Sequence, residues 1–282
     1  MRGNSDFTES TWLCRGIFPQ QVLTAIGFRC ILYWIPYPLA AWAAKKEEDM
    51  SLYAIGDLHL GLAVDKPMNI FGPGWADHVQ RLETAFSQLH DDDVTVLCGD
   101  TSWGIDFDQS LADFRFIDAL PGRKIVLKGN HDYWWNTAAK MKKFFAENGI
   151  TTIDILHNNS FTYGDWAICG TRGWFYEEEK SGHNAKVLNR EVGRLEASLK
   201  AAGGRPILAF LHYPPLYTGY RCPEVIAKLE EYGVQQCFYG HLHGPTHRRA
   251  TAWWPPIIWD LFRKKSWIRG KKAGNFQNLV LQ

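Results

Sequence analysis

KIVLKGNHDYWW occupies residues 124–135, and its two halves ask for opposite surroundings. The β-branched apolar run suits a buried strand. Glycine, a carboxamide, an imidazole and a carboxylate then follow on four consecutive residues, Gly129 to Asp132. Burying such groups costs free energy unless each is paired, so a folding core has no use for the cluster. In an open α/β sheet the carboxyl end of a strand is the edge where ligands bind.

The same punctuation recurs along the chain. AIGDLH (54–59), LCGD (97–100) and FYGHLH (238–243) each leave an apolar run through glycine into a residue able to bind metal, and AFLHY (209–213) ends directly in His212. Glycine there lets the backbone turn sharply off the strand. We therefore read SLYAI (51–55), VTVLC (94–98), KIVLK (124–128), PILAFL (206–211) and VQQCFY (234–239) as buried strands.

Between them, Val79, Leu82, Phe86 and Leu89 recur at helical spacing, as do Leu188, Val192, Leu195 and Leu199. A further helix is expected over Thr137 to Glu147, stopped by Asn148-Gly149. Phe161 to Cys169 reads as a hairpin turning at Gly164-Asp165. Strands separated by helices imply a largely parallel sheet, and the hairpin adds antiparallel strands.

Taken singly, these fragments say little. Gly-Asp is more often a turn than a ligand, and a lone histidine such as His212 is usually a satisfied, partly buried residue. Five strand ends of one kind are another matter. Together they deliver Asp57, His59, Asp100, Asn130, His131, His212, His241 and His243 to one crevice.

This ordered set, D-x-H, GD, GNHD, a lone H and GH-x-H, resembles the calcineurin-like metallophosphoesterase family, in particular a bacterial subgroup of predicted phosphohydrolases. The likeness runs from Met50 to about His247. It implies an α/β fold, the four-layer αββα sandwich, around two divalent metal ions. By the same resemblance Asp57, His59 and His243 bind the first metal, Asn130, His212 and His241 bind the second, and Asp100 bridges them. His131 is the non-ligand catalytic histidine, with Asp132 beside it to fix its tautomer.

The implied activity is hydrolysis of a phosphomonoester or phosphodiester by a hydroxide bridging the two metals. Such a pair, about 3.5–4 Å apart, generates a nucleophile at neutral pH and clamps attacking and leaving oxygens. Imidazoles, carboxylates and an amide oxygen, without thiolate, favour Mn, Fe, Zn or Ni over calcium. A nuclease of the same fold is the nearest alternative, and a non-catalytic metal-binding interaction scaffold is the alternative from another class. Ligand loss would mark a scaffold, and every ligand position is filled.

Other residues beside these motifs carry weaker signals. Tyr133, Trp134 and Trp135 are read as packing residues rather than a stacking wall. Arg172, in GTRGW (170–174), is either a contact for a substrate phosphate or a surface pair. Asp91 to Asp93 are expected to form a solvated turn, and Glu177 to Glu179 a loop face.

The bulk composition is that of a globular protein, with 282 residues, 46% of them hydrophobic. Net charge is +1 but uneven. Residues 50–247 hold 18 Lys/Arg against 24 Asp/Glu, a net −6, and residues 248–282 hold eight against one, a net +7. An acidic middle argues against an extended nucleic-acid face, so the expected partner is a small phosphoester.

Six scattered cysteines form no CxxC pair, which suits a reducing cytoplasm and no disulfide framework. The apolar stretch Ile31 to Ala44 contains two prolines and falls short of the ~20 residues that a membrane span needs.

The two ends differ from the middle. Residues 1–49 and 248–282 hold seven of the 13 tryptophans. The tail shows no strand alternation before Leu279 to Leu281, so the second sheet is expected to be incomplete at its C-terminal edge. We read 50–247 as the metallophosphoesterase domain, with 1–49 an atypical extension and 248–282 an atypical basic, Trp-rich tail. Met50 is the expected natural start, and the tail the expected product of a frame change after His247.

Overall fold

The computed structural model describes residues 30–33, 50–175, 182–217, 219–234, 236–243 and 278–281. The calls on Glu177 to Glu179, on most of 1–49 and on most of 248–282 lie outside these residues.

The strands are β1 (Cys30–Tyr33), β2 (Leu52–Ile55), β3 (Val94–Leu97), β4 (Arg123–Val126), β5 (Ile153–Ile155), β6 (Ser160–Tyr163), β7 (Trp166–Thr171), β8 (Ile207–Leu211), β9 (Leu216–Tyr217), β10 (Tyr220–Arg221), β11 (Gln236–Tyr239) and β12 (Asn278–Leu281). The helices are α1 (His78–Phe86), α2 (Phe107–Ala119), α3 (Ala138–Glu147), α4 (Gly182–Lys200) and α5 (Pro223–Glu231).

Two four-stranded sheets result. The first, in order β2-β3-β4-β5, is parallel throughout. The second, β11-β8-β7-β6, is parallel except for the β6–β7 hairpin, which turns at Gly164-Asp165. β1 and β12 pair with each other, antiparallel, as a separate ribbon.

Period-two alternation decides what lies between the layers. Leu52, Ala54, Val94, Val96, Ile125 and Leu127 of the first sheet meet Tyr163, Ile168, Leu208, Phe210 and Phe238 of the second in one buried cluster. Intervening residues face outward. Ile55, Leu97 and Val126 pack under α1, α2 and α3, against Leu82, Phe114, Ile117, Met141 and Phe145. Ala167, Ala209 and Leu211 pack under α4 and α5, against Leu195, Leu199, Val225 and Leu229.

The layers are thus helix, sheet, sheet, helix, the expected αββα sandwich. Each aliphatic or aromatic side chain fully buried among them contributes about 1.5–3 kcal/mol.

Two local expectations are corrected. Asp93 is no solvated residue: it is 1% exposed and accepts hydrogen bonds from Ser51 N (2.7 Å) and His90 N (2.8 Å), tying the start of β2 to the approach to β3. Of the aromatic trio, Trp134 is core and Trp135 packs against it, while Tyr133 is 57% exposed.

Candidate metal centre

The carboxyl ends of β2, β3 and β4 in one sheet and of β8 and β11 in the other point to the same edge of the sandwich. Asp57 and His59 follow β2, Asp100 follows β3, Asn130 and His131 follow β4, His212 follows β8, and His241 and His243 follow β11. The loops are held together by backbone bonds from Asp57 N to Gly99 O (2.9 Å), His59 N to Asp100 O (2.9 Å) and Gly240 N to Leu211 O (3.2 Å).

Asp57, His59, Asp100 and His241 all adopt left-handed backbone conformations, with φ of 60°, 45°, 52° and 71°. Each costs on the order of 1–3 kcal/mol away from glycine, and such strain collects at functional sites.

The strand-end glycines have a second reason beyond turning. Only Gly99 among the four has a positive φ, 87°. A methyl on Gly129 would overlap Asp100 Oδ1 and N, and one on Gly240 would lie 2.8 Å from Asp57 Oδ2. They are glycines because two ligand loops touch there.

The ligand atoms gather in two groups. Asp57, His59 and His243 form one, and Asp100, His212 and His241 the other. Asp57 Oδ1 lies 3.2 Å from His243 Nε2 and 3.9 Å from His59 Nε2. Asp100 Oδ2 lies 3.8 Å from His59 Nε2 and 3.5 Å from His212 Nε2, so one carboxylate oxygen faces both groups. Asn130 joins the second group, its Oδ1 being 2.6 Å from His212 Nε2.

Protonation fixes what these atoms offer. His212 is fully buried, and its Nδ1 lies 2.9 Å from the Cys98 carbonyl oxygen, which can only accept. Nδ1 therefore carries the proton. Burial also pushes the His212 pKa down to about 4, so Nε2 presents a lone pair to Asn130 Oδ1 and Asp100 Oδ2. His59 and His243 likewise set Nε2 against Nε2 at 3.4 Å, and burial pushes His59 down to about 3.

Lone pairs converging in this way repel one another unless a cation lies among them. Asp57 Oδ1 is buried without a hydrogen-bond donor. The donor set fits two divalent cations.

The carboxyls differ. Burial works against ionisation of Asp57, but the His243 hydrogen bond and the charges of His212, His243 and His59 hold it well below the usual carboxylate range. Burial, with the charges of Asp57 and Asp132, raises Asp100 to about 8.

His131 is half-buried at the rim. Its backbone N donates to Asp100 Oδ1 (2.7 Å), and its ring lies 4.7 Å from that of Trp103. Its Nδ1 faces Tyr133 Oη at 3.5 Å.

The Asp132 carboxylate, expected to orient His131, is engaged elsewhere. Oδ2 accepts from Gly129 N (2.6 Å) and Asp100 N (2.9 Å), and Oδ1 from Thr101 N (2.8 Å), Ser102 N (3.4 Å) and Trp134 Nε1 (2.9 Å). Asp132 fastens the Asp100 loop to the Asn130 loop. Arg172 also stands away from the ligand groups, its guanidinium bound to Glu191 Oε1 at 2.9 Å. Its carbonyl receives His212 N and Tyr213 N, so its backbone supports the site instead.

Sequence reading missed a rim of rings. Trp103 stacks on His59 at 4.8 Å, Trp75 lies 5.3 Å from His243, and Lys66 sits 4.7 Å over Trp103. The only local signal was TSWG (101–104), three residues beyond Asp100.

Among solved structures, a protein of unknown function from Aquifex aeolicus, AQ665, is 15% identical, with 67% of this chain and 88% of that chain covered and a TM-score of 0.36. TT1561 of Thermus thermophilus is 13% identical, with 68% and 81% covered and a TM-score of 0.45. No curated protein matches the chain. The model of one family, calcineurin-like phosphoesterase, matches residues 50–245, the stretch that carries both sheets and every converging ligand. The chain belongs to the calcineurin-like phosphoesterase family.

Proposed function

We propose that the chain hydrolyses a small phosphomonoester or phosphodiester at a two-metal centre. Asp57, His59 and His243 would hold one divalent ion, Asn130, His212 and His241 the other, with Asp100 shared between them. The single observation that carries this is His212. A buried neutral imidazole that spends its N–H on Cys98 O turns its lone pair into a cluster of oxygens. Manganese, iron, zinc or nickel suits that donor set.

When bound, the two cations supply Lewis acidity, lowering the pKa of water and neutralising charge on the phosphoryl oxygens. The chain's own groups do the rest. Asp57 Oδ2 accepts from His241 N at 2.7 Å, coupling the two ligand groups through the backbone. His131, fixed at its backbone by Asp100, reaches the rim where a leaving oxygen would emerge and donates a proton or hydrogen bond there. Asp132 acts on this geometry through the backbone of residues 100–102 rather than through the imidazole. Trp75, Trp103 and Lys66 wall the side of the centre next to His59.

The proposed catalytic domain is residues 50–247. Cytoplasmic residence belongs to the same proposal and rests on the free thiols of Cys98, Cys169, Cys222 and Cys237. Among the described residues no helix is long and apolar enough to cross a membrane.

The test is hydrolysis of an aryl phosphate and an aryl phosphodiester with each metal. His131→Ala is expected to keep bound metal and lose most turnover, and Asp100→Ala to lose metal as well. Wild-type turnover in both variants would refute the assignment.

A further inference from the structure

A second cavity adjoins the ligand cluster along the same edge of the sandwich. The ligands follow β2, β3 and β4 in one sheet and β8 and β11 in the other. The next strands outward are β5 and β7. From their carboxyl ends come His157 and Arg172, from the end of β4 comes Lys128, and from α4 come Glu191 and Arg194. With Trp135 these line a cavity of about 310 Å³, within the size range of small-ligand sites.

Its charge is one-sided. Two guanidiniums and one ammonium face a single carboxylate, Glu191, which is 1% exposed. That carboxylate is saturated: it accepts from Thr171 Oγ1 (2.8 Å), Arg172 Nη2 (2.9 Å) and Arg194 Nη1 (2.5 Å). It fixes both guanidiniums in place but neutralises only one of the three cations.

The buried donors that remain point the same way. Arg172 Nε and Trp135 Nε1 are both buried and have no acceptor among the described residues. Fixed N–H donors, excess positive charge and no free acceptor make a site for an anion.

We infer that this cavity binds an oxyanion, a phosphate or carboxylate group, with Arg172, Arg194 and Lys128 as its charged contacts. The group is either carried by the substrate at a distance from the scissile phosphoryl, a form that rests on the phosphoesterase reading above, or belongs to a free anion. The chemistry of the cavity is common to both.

The experiment uses the full chain, stripped of metal, titrated with inorganic phosphate by calorimetry. One phosphate per chain is expected, with affinity at least about tenfold weaker in Lys128→Met and in Arg194→Met, the loss of one charge-assisted contact. Lys128→Arg, which keeps the charge, should retain binding, and this separates a lost contact from a packing defect. Absence of phosphate binding, or binding that both methionine variants leave unchanged, overturns the inference.

The metal-loaded protein distinguishes the sources. If the group is the substrate's own, Lys128→Met raises KM for an aryl phosphate bearing a second phosphate more than KM for the plain aryl phosphate. If it is a free anion, added phosphate changes turnover at the concentrations that bind, and the variant shifts that dependence. A chain that binds phosphate here yet hydrolyses nothing would refute the phosphoesterase reading alone.

Discussion

Replacing Asp132 by asparagine changes no volume and opens no cavity, so its effect isolates the acceptor role of the carboxylate. Asp132 is fully buried, and its two oxygens receive five donors. In Asp132→Asn one oxygen becomes an NH2 group. Placed at the Oδ2 position it faces Gly129 N and Asp100 N; placed at Oδ1 it faces Thr101 N, Ser102 N and Trp134 Nε1.

Either orientation therefore strands at least two buried N–H groups, each at about 1–3 kcal/mol, for a total of about 2–6 kcal/mol. Burial holds the Asp132 pKa above its ordinary value, so relief of desolvation draws the expected loss toward the lower end of that range. Urea denaturation followed by circular dichroism measures it. Stability within about 0.5 kcal/mol of wild type, together with a large loss of turnover, would refute the reasoning and return Asp132 to a role on His131.

Three further outcomes are expected. Metal loading at 100 times Kd should stabilise the protein by about 2.7 kcal/mol per site and a chelator should reverse the gain; at pH 7 loading should also release a proton from Asp100, read as a buffer-dependent binding enthalpy that fades above about pH 9. Gly129→Ala should abolish metal binding, because the added methyl overlaps Asp100 Oδ1 and backbone N, neither of which can yield; metal content after dialysis checks it.

Lys124 is fully buried, with its ammonium on the carbonyls of Leu120 and Gly122, and burial pushes its pKa down to about 8. The unfolded chain holds that proton to about 10.5, so it binds more protons than the native state between about pH 8 and 10.5. Wild-type stability should rise across that window by on the order of 2–3 kcal/mol, a slope that Lys124→Met lacks in denaturation at pH 8 and pH 10.

What the sequence disclosed follows from what its residues need locally. The five strands beneath the ligands were legible because an apolar run must end where a polar cluster begins, and the β6–β7 hairpin because Gly164, with φ of 54°, marks its turn. The α2 helix was missed because its buried face includes Ser110 and Asp113, which interrupt the apolar stripe. Those polar groups are satisfied across the fold, with Asp113 accepting from Leu62 N at 2.8 Å and from Ser102 Oγ.

The three residues of β5 were too few to show a period. The role of Asp132 was misread for a related reason. Its neighbour in sequence is His131, but its partners are amides some thirty residues earlier, and no spacing rule carries that information. The division of the strands into two sheets was likewise invisible to periodicity, since both sheets are apolar on both faces, and came only with the family resemblance.

The most direct test of the metal centre is a crystal of the full chain grown with manganese and measured for anomalous scattering. Two peaks are predicted, one within bonding distance of Asp57, His59 and His243, the other of Asn130, His212 and His241, with Asp100 reaching both. A map with no peak among these side chains, or with metal bound elsewhere while they face one another unbridged, would contradict it.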